Sequence, residues 1–220
     1  MTDWIQRWKE GKTGWHRDTP NGKLVEFIGS LQLQKAQTVF VPLCGKSQDM
    51  VYLLEQGYKV IGVELSALAV DAFFKESGVP YTVQEARDFT VYNARNIRIF
   101  CGDFFDLDAY HLEAVNAVYD RAALIALPEG LRVEYVRQLY DIIPNGCRIL
   151  LLTLNYPQSQ ISGPPFAVDE RAVNSLFERF ECRQLQCFDD IKNEPKYLNA
   201  GVDFIEKATY CLHKKGKENG

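Results

Sequence analysis

The chain has 220 residues, 46% of them hydrophobic and 25% charged, with 13 Phe and 11 Tyr, enough length and apolar content to bury one large core. Its net charge of −4 argues against the basic footprint of a nucleic-acid binder. No apolar run reaches bilayer length and no signal-peptide core opens the sequence, which predicts a cytoplasmic protein without a membrane partner. The six cysteines (Cys44, Cys101, Cys147, Cys182, Cys187, Cys211) form no CxxC pair and no Cys/His metal spacing. They are expected as reduced thiols, with no metal site.

Asp3 to Glu10 is expected as a short helix with Trp4 and Trp8 one turn apart on one face. Gly11 to Gly14 ends it, and Trp15 and His16 follow. Either the tryptophans pack on the core, or this N-terminal segment of about residues 1–20 is an aromatic lid over a planar or cationic ligand. His16 is read as structural rather than catalytic. Pro20-Asn21-Gly22 marks a turn, and Leu24 to Leu31 an amphipathic helix.

The unit that organises the chain comes next. Val39-Phe40-Val41 predicts a buried strand, and the chain breaks at Cys44-Gly45. A helix follows, with Met50, Val51, Leu53 and Leu54 on one side, and then a second strand, Lys59 to Glu64. Glu64 lies roughly twenty residues past the glycine turn, the spacing at which a strand-end carboxylate takes both hydroxyls of a ribose. The other reading of Glu64 is a solvated acid at a strand end. Only Gly45 of a G-x-G-x-x-G pattern is present, which disfavours a pyrophosphate and hence NAD. S-adenosylmethionine, a ribose cofactor without phosphate, suits the loop better.

Ser66 is expected to cap a helix over Ala67–Ser77, stopped at Gly78-Val79-Pro80. Residues 85–96 read as an irregular excursion with a short strand. Ile97–Cys101 is the third strand; Asp103 and Phe104 beyond it either hold an adenine or make ordinary turn chemistry. Ala114–Asp120 is the fourth strand with Arg121 at its rim, and a helix runs from Pro128 to Ile142. Cys147–Leu154 is apolar enough for a central parallel strand. Gly163-Pro164-Pro165-Phe166 is a stiff loop over the same rim, and Asp169 caps a helix through Phe177. Two strand-like runs close the chain near residues 182–188 and 204–212, before a polar, mobile tail over 214–220. The alternation predicts an α/β, doubly wound, mostly parallel sheet ending in a hairpin, as a single domain over 1–220. Leu43, Glu64, Asp103 and Arg121 meet at the carboxyl ends of its strands, where such sheets bind ligands.

The run Val41-Pro42-Leu43-Cys44-Gly45-Lys46-Ser47-Gln48-Asp49-Met50, with Gly62-Val63-Glu64-Leu65-Ser66, resembles the thiopurine S-methyltransferases, in their bacterial form. So do Trp8 with Gly11 to His16, Tyr119 to Leu124, Gly163 to Phe166, and Gly201 to Lys207. The resemblance implies a class I methyltransferase fold, a seven-stranded sheet with an antiparallel last strand, and S-adenosylmethionine as cofactor. It implies that Trp8, Trp15, Leu43, Gly45, Glu64 and Arg121 contact that cofactor, with Asp103 and Phe104 on the adenine side. Trp15 stands where the family often has phenylalanine. Arg121, Pro165, Phe166 and Lys196 are the implied acceptor-side residues.

The implied reaction is in-line transfer of the sulfonium methyl to an aromatic or heterocyclic thiol, leaving S-adenosylhomocysteine. No catalytic acid or base is expected, because aromatic thiols ionise readily and catalysis then rests on positioning and exclusion of water. Inorganic selenium or tellurium species are the alternative acceptors. A nicotinamide-dependent oxidoreductase and a non-catalytic S-adenosylmethionine-binding protein are the rival classes. A monomer is expected.

Overall fold

Alternation of apolar residues along the central strands sends side chains to two faces of one sheet, and helices cover both. The computed structural model describes residues 3–14 and 16–216, so Trp15 and residues 217–220 of the expected tail lie outside the described residues. The first half of the chain supplies α1 (Trp4–Lys9), α2 (Gly22–Phe27), β1 (Thr38–Val41), α3 (Gln48–Glu55), β2 (Lys59–Glu64), α4 (Ala67–Ser77), β3 (Thr82–Glu85), β4 (Thr90–Asn93) and β5 (Ile97–Cys101). The second half supplies β6 (Val115–Arg121), α5 (Glu129–Ile142), β7 (Arg148–Asn155), α6 (Glu170–Leu176), β8 (Glu181–Asp189), α7 (Pro195–Asn199) and β9 (Glu206–His213).

The strands lie in the order β3-β4-β5-β2-β1-β6-β7-β9-β8. β5, β2, β1, β6 and β7 are parallel neighbours, whereas β9 runs antiparallel between β7 and β8. In β1, Val39 and Val41 point into a core with Met50, Leu53, Val70, Phe73 and Leu24 from α3, α4 and α2. Phe40 points the other way, into a core shared with Tyr135, Val136 and Leu139 of α5 and Val173 of α6. This is the doubly wound α/β architecture that the alternation predicts. The strand order reverses between β1 and β6, which remain parallel, and the crevice opens there, off Val41, Glu64 and Arg121.

Three local features differ from the sequence expectation. The sheet has nine strands among the described residues, not seven, because residues 82–93 form a hairpin, β3–β4, that adds antiparallel to β5. All four β3 positions are exposed, so no apolar alternation marks it. Ser66 stands at the N-cap of α4 but makes no side-chain capping bond, and its hydroxyl is buried without a partner. Its backbone N–H is instead drawn to Glu64 Oε1, at 2.8 Å. Lys214, placed by sequence at the start of the tail, is buried: its ammonium donates to the carbonyls of Tyr140 and Ile143, at 2.6 and 2.7 Å.

Candidate active site

A cavity of about 820 Å³ occupies the crevice, a size that suits a cofactor with a small acceptor. Its wall includes Trp8, Leu43, Gly45, Glu64, Asp103, Phe104, Arg121, Pro165 and Lys196, so most of the sequence-predicted site residues come together. Phe166 does not line it. Its ring turns back over Gly163, where a Cβ would lie 2.5 Å from it, and sits under the Arg132 guanidinium at 5.6 Å. The loop backbone is tied to the sheet side by the Phe166 N–H, which donates to the Ile125 carbonyl at 2.7 Å, and the ring packs away from the cavity.

Glu64 is the best-anchored acid of the rim. It is only 7% exposed, Oε2 accepts the Gly45 N–H at 2.9 Å and Oε1 accepts the Ser66 N–H at 2.8 Å. Burial raises its pKa, and the backbone donors of Ser66, Gly45 and Leu65 oppose that rise. The turn that brings Gly45 there needs left-handed backbone, with φ of +46° at Leu43 and +54° at Gly45. Leucine rarely adopts that region, so the loop carries local strain at the cavity wall. At Gly45 space is also tight, because a Cβ would lie 3.2 Å from the Trp8 ring, which would have to give by a few tenths of an ångström. Trp8 therefore lies across the turn, and α1 buries no residue in the core. Of the two readings of the N-terminal aromatics, Trp8 follows the one that places it over the cavity.

Beyond β5, the Asp103 carboxylate caps a short turn by accepting the Phe105 N–H at 3.0 Å and remains exposed. Phe104 is buried beside it, its ring 4.8 Å from that of Tyr135. At the end of β6, Arg121 reaches Asp49 with Nη1 3.5 Å from Oδ2. Asp49 was not expected in the site from sequence. It sits in the first turn of α3 and shares the buried face with Leu53, four residues on. That spacing was the available signal.

Asp120 is a second acid missed in the sequence. It is fully buried, its Oδ2 accepting the Tyr135 hydroxyl at 2.7 Å and its Oδ1 the Leu124 N–H at 3.2 Å. Burial pushes its carboxyl up to about 6, against the Tyr135 hydroxyl and the backbone donors. It anchors the turn after β6, where Ala122 takes a φ of +65°.

The opposite wall is built from side chains. Pro165 is held by the Tyr156 hydroxyl, which donates to its carbonyl at 2.6 Å. Lys196 projects from α7, exposed, with its ammonium 5.3 Å from the Tyr197 ring. Beside it, Lys207 donates to Asp190 and Glu194 at 2.6 and 2.5 Å. His16 also lines the cavity, where burial and then Lys46 hold its pKa below the ordinary value, so the ring is neutral near pH 7. The Cys44 thiol is buried and pushed well above its ordinary pKa by burial, so it remains protonated and inert.

The same fold is found in a solved N1-methyltransferase from Burkholderia thailandensis with S-adenosylhomocysteine bound, with a TM-score of 0.62 and 15% identity, covering 97% of this chain and 86% of that one. The strand order and the crevice are thus those of the class I methyltransferase fold. The sequence model of the thiopurine S-methyltransferase family matches residues 1–215. A thiopurine S-methyltransferase of Nitrosospira multiformis is 43% identical over 210 residues, 95% of this chain and 96% of that one. One of Nitrosomonas eutropha is 44% identical over 212 residues, 96% of each chain. The chain belongs to the thiopurine S-methyltransferase family, whose members are enzymes that use S-adenosylmethionine.

Proposed function

We propose that this enzyme moves the methyl group of S-adenosylmethionine to the sulfur of an aromatic or heterocyclic thiol. The observation that carries the reading is the Glu64 carboxylate, fixed by two backbone N–H groups inside a cavity at the switch point of the sheet. A carboxylate has about four acceptor sites, which the backbone donors do not fill, so capacity remains for a ribose diol. The residues present therefore fit the cofactor. In this reading the Leu43–Gly45 backbone passes the methionine part beneath Trp8, and Asp103 with Phe104 serves the adenine. Arg121 neutralises an anionic group on cofactor or acceptor, and Pro165 and Lys196 face the acceptor.

When bound, the cofactor supplies an electrophilic methyl: a bond from the acceptor sulfur to that carbon forms as the sulfonium C–S bond breaks, and the thiol proton has already gone to solvent. The chain contributes positioning. Backbone dipoles around Gly45 and Ser66 are fixed before either ligand arrives, so little reorganisation is left for the reaction. Ile125, Leu152, Leu154 and Pro165 give the cavity an apolar lining suited to a flat ring. A protonated, buried Cys44 takes no part in proton transfer.

The relatives' names support a thiopurine-type acceptor, and the continuous sheet supports a single domain over 1–220 with the segment up to about residue 20 as a lid. The protein is proposed to be a cytoplasmic monomer; no helix among the described residues is long and apolar enough to cross a membrane. The test is a calorimetric titration with S-adenosylmethionine and with NADH, followed by addition of 6-mercaptopurine or thionitrobenzoate. Binding of the first alone, with one S-adenosylhomocysteine formed per methylated thiol, is expected. Binding without product removes the acceptor class, and absence of binding removes the reading.

A further inference from the structure

Asp49 is 1% exposed, deeper than its helix requires. An acid in a first helical turn gains from the dipole at the surface, without the desolvation that burial imposes. Its two oxygens instead gather three groups from distant parts of the chain. Oδ1 accepts the Asn21 N–H at 2.6 Å. Oδ2 accepts the Tyr119 hydroxyl at 3.1 Å and faces Arg121 Nη1 at 3.5 Å. Asn21 belongs to the turn that starts α2, and Thr19 to Lys23 form part of the cavity wall. Tyr119 and Arg121 are the last turns of β6, beneath the same cavity.

We propose that Asp49 is a positioning residue for methyl transfer: it aims the Arg121 guanidinium at the cavity and latches the wall at residues 19–23 to the strand ends. The inference rests on the methyl-transfer reading for what the cavity holds. Arg121 lines the cavity with a buried countercharge behind it, its Nη1 3.5 Å from Asp49 Oδ2. Tyr119 completes the arrangement. Its phenol is pushed well above the ordinary value, by burial and then by the Asp49 charge, so it remains a donor to Oδ2. Replacing Asp49 by asparagine keeps an oxygen for the Asn21 N–H but turns an amide donor, or a neutral oxygen, toward the guanidinium. The latch is largely preserved and the charge is lost.

A double-mutant cycle separates this role from a structural one. Wild type, Asp49→Asn, Arg121→Gln and the double variant are compared for S-adenosylmethionine affinity by calorimetry, for KM and kcat with thionitrobenzoate, and for thermal unfolding. Arg121→Gln weakens one of the two ligands, and Asp49→Asn is expected to weaken the same ligand by about tenfold. In the Arg121→Gln background the added loss is expected to be less than about twofold. Asp49→Glu, which retains the charge, is expected to stay within about threefold of wild type. Equal losses in both backgrounds, a lowered unfolding temperature with ligand affinities unchanged, or a Glu variant as weak as the Asn variant would each overturn the proposal. Amide exchange of residues 21–23 reads the latch without any ligand: it should quicken in Asp49→Ala far more than in Asp49→Asn, and equal rates would remove the latch. A wild-type protein that fails to bind S-adenosylmethionine would instead defeat the methyl-transfer reading, and the exchange experiment would still judge the latch.

Discussion

The two ends of the cavity are built differently. Under Glu64 and Leu43 the polar groups are backbone N–H donors fixed by strands and helix starts, and the Cys44 N–H is itself tied to the Val63 carbonyl at 2.9 Å. Around Lys196 the groups are long side chains on a five-residue helix, with Lys207, Asp190 and Glu194 joined in ion pairs. Fixed dipoles preorganise one ligand and tolerate few alternatives. Flexible ammonium groups adapt, at the cost of weaker, more screened contacts. This contrast fits the proposed reading, with the cofactor at the first end and the acceptor at the second.

The most severe test of that assignment is Glu64→Ala. Two charge-assisted hydrogen bonds to a diol, at about 1.5 kcal/mol each or more, correspond to a loss of roughly a hundredfold or more in S-adenosylmethionine affinity. Near-wild-type affinity in calorimetry would break the comparison at its rigid end.

Asp120 tests the same end through stability. Its folded-state carboxyl titrates at about 6 instead of 3.8. The folded protein therefore keeps a proton that the unfolded chain releases between about pH 4 and 6. Stability from this group is fully present below the unfolded value and falls as pH rises through the folded one, by about 3 kcal/mol across the window. Asp120→Asn does not titrate, so the difference in unfolding free energy between variant and wild type should shift in the variant's favour from pH 4 to 6. Denaturant unfolding at several pH values reads it, and a pH-independent difference would mean that the buried carboxyl titrates normally. The smallest effect is expected at the adaptable end. Lys196→Ala should raise the acceptor KM by less than about fivefold and leave S-adenosylmethionine affinity unchanged, because an exposed ammonium contributes little. A change in cofactor affinity would show that the two ends are not separate.

The same contrast explains what could be read from sequence. Glu64, Leu43 and Arg121 are legible because a strand end is a local pattern, and the strand–turn–helix–strand spacing places it at the crevice. The end of α4 is legible as well, because Gly78 takes the left-handed backbone of a C-cap, whereas Ser66 marks the start without making the capping bond expected of it. Asp49 and Asp120 were not legible as site residues: the partners of Asp49 lie 28 and 70 residues away, and Asp120 finds Tyr135 only once α5 packs on the sheet. The β3–β4 hairpin escaped because its outer strand buries nothing. Phe166 reads from its loop as facing the cavity, but a side-chain rotamer is not written in a loop sequence, and its ring packs over Gly163 beneath Arg132.

The position of β9 has a consequence for how the protein is made. β8 pairs with β9 alone among the described residues, and β9 alone separates it from β7. Until residues 206–213 have been synthesised, β7 presents an open edge and β8 has nothing to join. The sheet therefore cannot close from its N-terminal side as the chain emerges, and the nascent chain must shelter the long apolar β7 until β9 slides in beside it.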